Sequence, residues 1–296
     1  MRYTINQFRK DYPNDDVCLD MIFKLRYAAQ PCCPCCSQAT TFKRIAGRRA
    51  YQCSDKDCQY QLYPTAGTIF EKTKTSLVDW FYVIYLMSST RNGVSGKEIQ
   101  RQLGVTYKCA WRMGHQIRLL MANGGLEGML YGVVEIDETY VGGKHANKHK
   151  KERALLNEKG TGAINKTPVL TMLARNGRIV NKVLDKAEGK TIKPVIKANI
   201  AKGAVIITDG FGAYAGLKGT YGHEVVNHSE DEFVRGEFHT NTVEGYFSQL
   251  KRTIGGTHIH VSKRHLEKYA NECSFRYTHR DEGQLMFHTI LSQVVN

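Results

Sequence analysis

Six of the nine cysteines in this 296-residue chain fall between Cys32 and Cys58. Clustered thiols in a chain that keeps its cysteines reduced point to metal ligation rather than to disulfides. Two close pairs stand out: Cys33-Pro-Cys-Cys36 and Cys53-x4-Cys58, separated by 16 residues. Each pair fits a tight turn that aims two sulfurs at one ion, and tetrahedral Zn²⁺ takes four such ligands at about 2.3 Å. The basic, strand-prone TTFKRIAGRRAYQ lies between the pairs and suits a ribbon hairpin. Cys32 and Cys35 offer the same spacing one residue earlier. Pro34 at the second position of a C-P-x-C turn favours Cys33 and Cys36 with Cys53 and Cys58. Four protein ligands leave no open coordination position, so this Zn²⁺ stabilises folding and performs no chemistry. Cys18, Cys109 and Cys273 stand alone and read as small core residues.

Charge supplies the next constraint. Lys and Arg outnumber Asp and Glu by 42 to 28, a net +14, while hydrophobic residues make up 42%. The chain therefore folds, and its surplus charge favours a polyanionic partner, because cations placed at phosphates release condensed counterions. No run approaches the roughly 18 apolar residues of a membrane span. The opening MRYTINQFRKDYPNDD has no apolar signal-peptide core. The expected location is the cytoplasm, associated with the nucleoid, with no membrane partner.

Hydrophobic periodicity divides the chain into four parts. Residues 1–30 form a helical segment and 31–66 the zinc ribbon. Residues 67–125 form a helical, helix-turn-helix DNA-binding region, and 130–296 an α/β catalytic domain. In the last part, GVVEIDETYVGG, TPVLTMLAR and GRIVNKVLDKA read as three successive strands. A helix at 191–201, the strand GAVIITDG, a short strand HEVVNH and a long helical tail from about 240 follow. That order is expected of an RNase H-like core. The basic stretch 142–153, GGKHANKHKKER, reads as a loop, either solvated or in contact with DNA.

GVSGKEIQRQLGVTYKCAWRMGHQIRLL reads as two helices joined at Gly104. Ser95 with Glu98 is a capping-box pattern, and Thr106 caps the second helix. That helix would present Lys108, Arg112, His115 and Gln116, residue types suited to phosphates and base edges.

Three carboxylates carry the chemistry. Asp137 sits in the strand VVEIDETYVGG, Asp209 ends the apolar run AVIITDG, and Glu244 lies in the helical HTNTVEGYFSQLKR. Phosphodiester chemistry with two metal ions about 3.5–4 Å apart needs carboxylates converging from separate elements. Such oxygen ligands suit Mg²⁺ or Mn²⁺. Glu135 shares a strand face with Asp137, whereas Glu138 points the other way. Lys251 follows Glu244 by two helical turns and is placed to hold a phosphate; Arg252, His239, Asn241 and the histidines of THIHVSKRH are further polar candidates.

These motifs together resemble the DDE transposases of the ISXO-type insertion sequences, relatives of the Merlin elements. The likeness spans nearly the whole chain and rests most on EIDETYVGGK (135–144), TDGFGAY (208–214) and HTNTVEGYFSQLKR (239–252). It implies an RNase H-like domain that cleaves double-stranded DNA at terminal inverted repeats with Mg²⁺ and transfers the 3′ ends into target DNA. Asp137, Asp209 and Glu244 would be the metal-binding triad, and Lys251 the basic residue after the Glu. Handling two element ends implies a homodimer or higher oligomer on DNA. One departure is the C-x4-C of the second cysteine pair, where C-x2-C is common. The alternatives are a domesticated zinc-ribbon and helix-turn-helix regulator that does not cut, and a structure-specific nuclease that does not join. The intact acid triad argues against the regulator.

Overall fold

The computed structural model describes residues 3–28, 32–38, 41–124, 128–143, 166–226, 238–282 and 285–295. Contacts divide the chain into two compact units. The first is Met1–Thr90, Val94–Asn123 and Glu282–Asn296; the second is Arg91–Gly93 and Gly124–Asp281.

The first unit is helical around a small sheet. The helical pattern at the N-terminus is split into α1 (Ile5–Asp11) and α2 (Asp15–Tyr27). Pro13 separates them, since it cannot donate into a helix and pushes the preceding residue out of helical geometry. The ribbon strands β1 (Phe42–Arg44), β2 (Tyr51–Cys53) and β3 (Gln61–Leu62) form an antiparallel sheet in that order. Phe23 of α2 stacks on Tyr51 of β2 with ring centroids 4.0 Å apart. Helix α3 (Leu77–Ser89), capped by Ser76, is apolar on most sides and buries Trp80, Phe81 and Ile84. It is followed by α4 (Gly96–Leu103) and α5 (Tyr107–Asn123). The last helix, labelled α9 (Leu285–Ser292), belongs to this unit and not to the sheet-bearing one expected from the sequence. Its Phe287 packs against Phe8, Tyr12 and Phe81, so aromatic burial overrides proximity in the chain.

The second unit is built on five strands: β4 (Val133–Val141), β5 (Thr167–Ala174), β6 (Ile179–Val183), β7 (Val205–Thr208) and β8 (Gly222–Val225). Their order across the sheet is β6-β5-β4-β7-β8. The first three form an antiparallel meander, and β7 and β8 run parallel to β4. The crossover to β7 uses α6 (Gly189–Asn199), and the chain continues into α7 (Asn241–Arg252), a π-helical stretch Thr253–His258 and α8 (Lys263–Thr278). Alternation along the strands buries both faces. Val134, Ile136, Leu170, Met172 and Ile206 pack with Ile192 and Ile196 of α6. Val169, Leu173 and Ile179 pack with Val243, Tyr246 and Leu250 of α7 and with Leu266 and Ala270 of α8. The basic stretch 142–153 lies outside the described residues from 144 onward. No helix of the described residues is long and apolar enough to cross a membrane.

Candidate functional site

The carboxylates gather where the sheet changes from antiparallel to parallel. Glu135 on β4 pairs with Ile207 on β7 in a parallel register. Two residues further along the same register, Asp137 stands beside Asp209, just past the end of β7. By strand alternation both face α7, on the same side of β4 as Glu135. Asp137 and Asp209 are half-buried and Glu244 is exposed on α7. Thr240 Oγ1 donates to Glu244 Oε1 at 3.3 Å, and Phe211 N donates to Asp209 Oδ1 at 3.1 Å.

The electrostatics record this crowding. Burial pushes the Asp137 carboxyl up to about 7, helped by the charges of Glu138, Asp209 and Glu244. The Glu138 backbone N–H, 2.7 Å from Asp137 Oδ1, works the other way. Glu138 lies on the opposite face of β4, where Tyr214 Oη donates to it at 2.6 Å. Its carboxyl is raised chiefly by burial, and the Tyr214 bond opposes that shift.

Glu135 takes a role the sequence pattern did not show. It is fully buried and accepts three hydrogen bonds from the start of α7. These come from Thr242 N at 3.1 Å, Thr242 Oγ1 at 2.9 Å and Val243 N at 3.0 Å. The helix's own N-cap residue, Thr240, makes no side-chain capping bond. A carboxylate from the central strand thus satisfies the orphan amides and faces the positive end of the helix dipole. Arg175 Nε lies 3.6 Å and His239 Nδ1 3.5 Å from the same carboxylate. Further along α7, Asn181 Nδ2 donates to Tyr246 Oη at 2.6 Å and to Ala270 O at 3.0 Å. Thr171 Oγ1, on the residue paired with Asp137 across β5, donates to Asn181 Oδ1 at 2.7 Å. The helix carrying Glu244 is therefore tied to the sheet at two levels.

Three oxygen-donor carboxylates suit hard divalent cations. Their oxygens are not all within 4.8 Å of one another, which is the spacing only of the cysteine group among the described residues. Lys251 and Arg252 are exposed at the far end of α7.

The structure brings Cys33, Cys36, Cys53 and Cys58 together, with all four sulfurs within 4.8 Å of one another. Cys33 Sγ and Cys58 Sγ are 3.8 Å apart, and four sulfurs at about 2.3 Å from one zinc have edges of about 3.8 Å. The donor set therefore fits Zn²⁺. Cys32 and Cys35 are exposed. Burial pushes the Cys33 thiol up, but hydrogen bonds from the Cys36 and Cys35 backbone outweigh it and bring it down to about 7. The longer C-x4-C turn is closed by Asp55, whose Oδ1 accepts from Asp57 N at 2.9 Å and Cys58 N at 3.0 Å.

Helices α4 and α5 meet at Gly104, which has the left-handed φ of 67° that favours glycine. Ser95 Oγ accepts from Glu98 N at 3.1 Å. The return half of the expected capping box is absent: the Glu98 carboxylate bonds Arg101 and Gln102 instead. Thr106 Oγ1 accepts from Cys109 N at 3.3 Å. Lys108 and Arg112 are exposed and Gln116 is half-buried. His115 departs from the expectation. It is 3% exposed and its ring lies against Trp111 with centroids 3.8 Å apart, because burial of α5 extends beyond the stripe of Ala110, Met113 and Ile117 to the side that carries His115 and Arg118.

Residues 129–278 match the model of the ISXO2-like transposase domain, and residues 13–61 match the transposase zinc-ribbon domain. An uncharacterized protein of the transposable element ISH50 from Halobacterium salinarum is 28% identical over 294 residues, covering 95% of this chain and 97% of its own length. An uncharacterized transposase-like protein of Haemophilus influenzae is 24% identical over 120 residues, 40% of this chain and 94% of its own.

Proposed function

Because this chain belongs to the ISXO2-like transposase family, we propose that it is the transposase of an insertion sequence: it binds its element's terminal inverted repeats, cleaves them and transfers the 3′ ends into target DNA. The observation that carries the reading is the parallel β4–β7 register, which stands Asp137 beside Asp209 on the face covered by the helix bearing Glu244. The strand order, with an antiparallel meander flanked by two parallel strands, supports an RNase H-like core. Asp137, Asp209 and Glu244 would hold Mg²⁺ or Mn²⁺ in this reading. When bound, such ions would supply charge stabilisation to the reacting phosphodiester.

The chain's own groups do the rest. Glu135 and the Asn181–Tyr246 bonds hold α7, and with it Glu244, against the strand. Lys251, two turns from Glu244, takes a DNA phosphate. The α4–α5 pair acts as a helix-turn-helix, with Lys108, Arg112 and Gln116 toward DNA and Arg252 of α7 adding a phosphate contact. The four-cysteine ribbon contributes a rigid, zinc-stapled element beside it in the first unit.

The test is a cleavage and strand-transfer assay on the gene's own flanking DNA with Mg²⁺ or Mn²⁺, comparing the native protein with Asp209→Asn. Cuts at the repeat ends and joined products, both lost in the variant, are expected. Tight binding of those ends without cutting by the native protein would point to a regulator, and cutting without sequence preference or joining to a nuclease.

A further inference from the structure

One exposed apolar side chain has no role in the reading above. Ile259, in the THIHVSKRH stretch, is 83% exposed. It adopts φ 63° and ψ −54°, a conformation that a β-branched residue rarely takes. The preceding Thr253–His258 stretch is π-helical, a rare geometry often found at functional positions. The loop around it is anchored: the His258 ring meets Tyr269 edge-on at 4.6 Å, and Thr257 Oγ1 donates to Asn92 O at 3.0 Å. A held loop therefore presents a bulky apolar tip to solvent.

Behind this tip lies a cleft of about 420 Å³, within the roughly 300–1,000 Å³ of small-ligand pockets. Its apolar wall is Val141, Ile254, Ile259 and Val261, and Lys166 and Lys251 supply charge. Gly255 adds no side chain to fill it. An apolar wall with two cations matches one unpaired nucleotide, whose base packs on apolar side chains while its phosphate pairs with lysine. Duplex backbone alone would not call for the apolar wall.

We propose that Ile259 is a wedge that enters the duplex at the element end, and that the cleft behind it receives one displaced nucleotide, its base against Val141 and Ile254 and its phosphate on Lys166 and Lys251. The inference rests on the reading of the protein as an end-cutting transposase. Val141 lies four strand residues beyond Asp137 on the same face, about 14 Å away, and Lys251 lies seven helical residues beyond Glu244, about 10 Å away. At about 3.4 Å of axis per nucleotide, the displaced base is within about four nucleotides of the cleaved bond.

The experiment places 2-aminopurine at each of the first four positions on either side of the cleavage point in duplexes bearing the terminal repeats. Fluorescence should rise at one position on complex formation with the full-length protein. Ile259→Ala should lose most of that rise and cleave roughly tenfold more slowly, while its anisotropy-measured binding changes less than about threefold. A mismatch at the responsive position should restore cleavage by Ile259→Ala, because an unpaired base no longer needs the wedge. Complexes that form and cleave with 2-aminopurine stacked at every position would overturn the wedge alone. A fluorescence rise equal in the native protein and Ile259→Ala would do the same. Failure to bind the repeats at all would overturn the transposase reading and the wedge with it.

Discussion

Replacing Glu135 with Ala should loosen the helix that carries Glu244 more than any other single side-chain truncation near the carboxylates. The substitution strands two backbone N–H groups, Thr242 and Val243, and the Thr242 hydroxyl, at a residue with no solvent exposure. Each unsatisfied buried donor costs roughly 1–3 kcal/mol. Removing one member of a buried charged constellation costs about 3–5 kcal/mol as a whole, and because the three losses are coupled that range is the better expectation than their sum. Glu135→Gln keeps the volume and one carbonyl acceptor but loses the charge facing the helix dipole, an effect of about 1–2 kcal/mol. Amide hydrogen exchange across Asn241–Arg252 reads the opening free energy directly. Protection should fall in the order native, Gln, Ala. Cleavage should fall in the same order, because Glu244 loses its place relative to Asp137. A loss of under about 1 kcal/mol in Glu135→Ala would refute the reasoning, since it would mean that water or Thr240 caps α7 equally well.

Asp137 makes the metal-free protein pH-sensitive. Its carboxyl is raised by burial and by neighbouring charge to about 7, so the folded state binds the proton more tightly than the unfolded chain. The associated stability is present below about pH 4 and is lost as pH rises toward 7. Asp137→Asn should therefore raise the metal-free stability at pH 8 by about 1–3 kcal/mol, read by urea unfolding, while abolishing cleavage; an unchanged or lowered stability would count against the crowded-carboxylate account. Cys53→Ser should release zinc and unfold the ribbon, whereas Cys35→Ser should retain a full equivalent by metal analysis, and loss of zinc in Cys35→Ser would reassign the ligand set. Lys108→Ala and Arg112→Ala should each weaken binding to repeat DNA and reduce the slope of log K against log salt by about one, while His115→Ala should leave that slope unchanged and lower stability instead.

What the chain encodes locally was readable from it directly. The cysteine spacing points to two knuckles because a knuckle is a property of four to six consecutive residues. The alternation through VVEIDETYV sets Glu135 and Asp137 on one face and Glu138 on the other because the side-chain period of a strand is two. Gly104 marks the turn between α4 and α5 because only a residue without a Cβ takes that backbone cheaply. The tertiary structure decided the rest. Which of two equally spaced cysteine pairs closes on Cys53 and Cys58 depends on which sulfurs the folded turn directs inward, and Cys32 and Cys35 are the ones left outside. His115 looks like a DNA-facing residue by type, yet the packing of α5 buries it. Phe287 joins α9 to aromatics more than 200 positions earlier in the chain, which no local pattern contains. Glu135 caps a helix 107 residues away, and Ile259 stands exposed because its anchored loop turns it outward. Spacing along the chain governs bonds and turns made within a few residues; partners brought together by strand pairing and helix docking exist only once the core has formed.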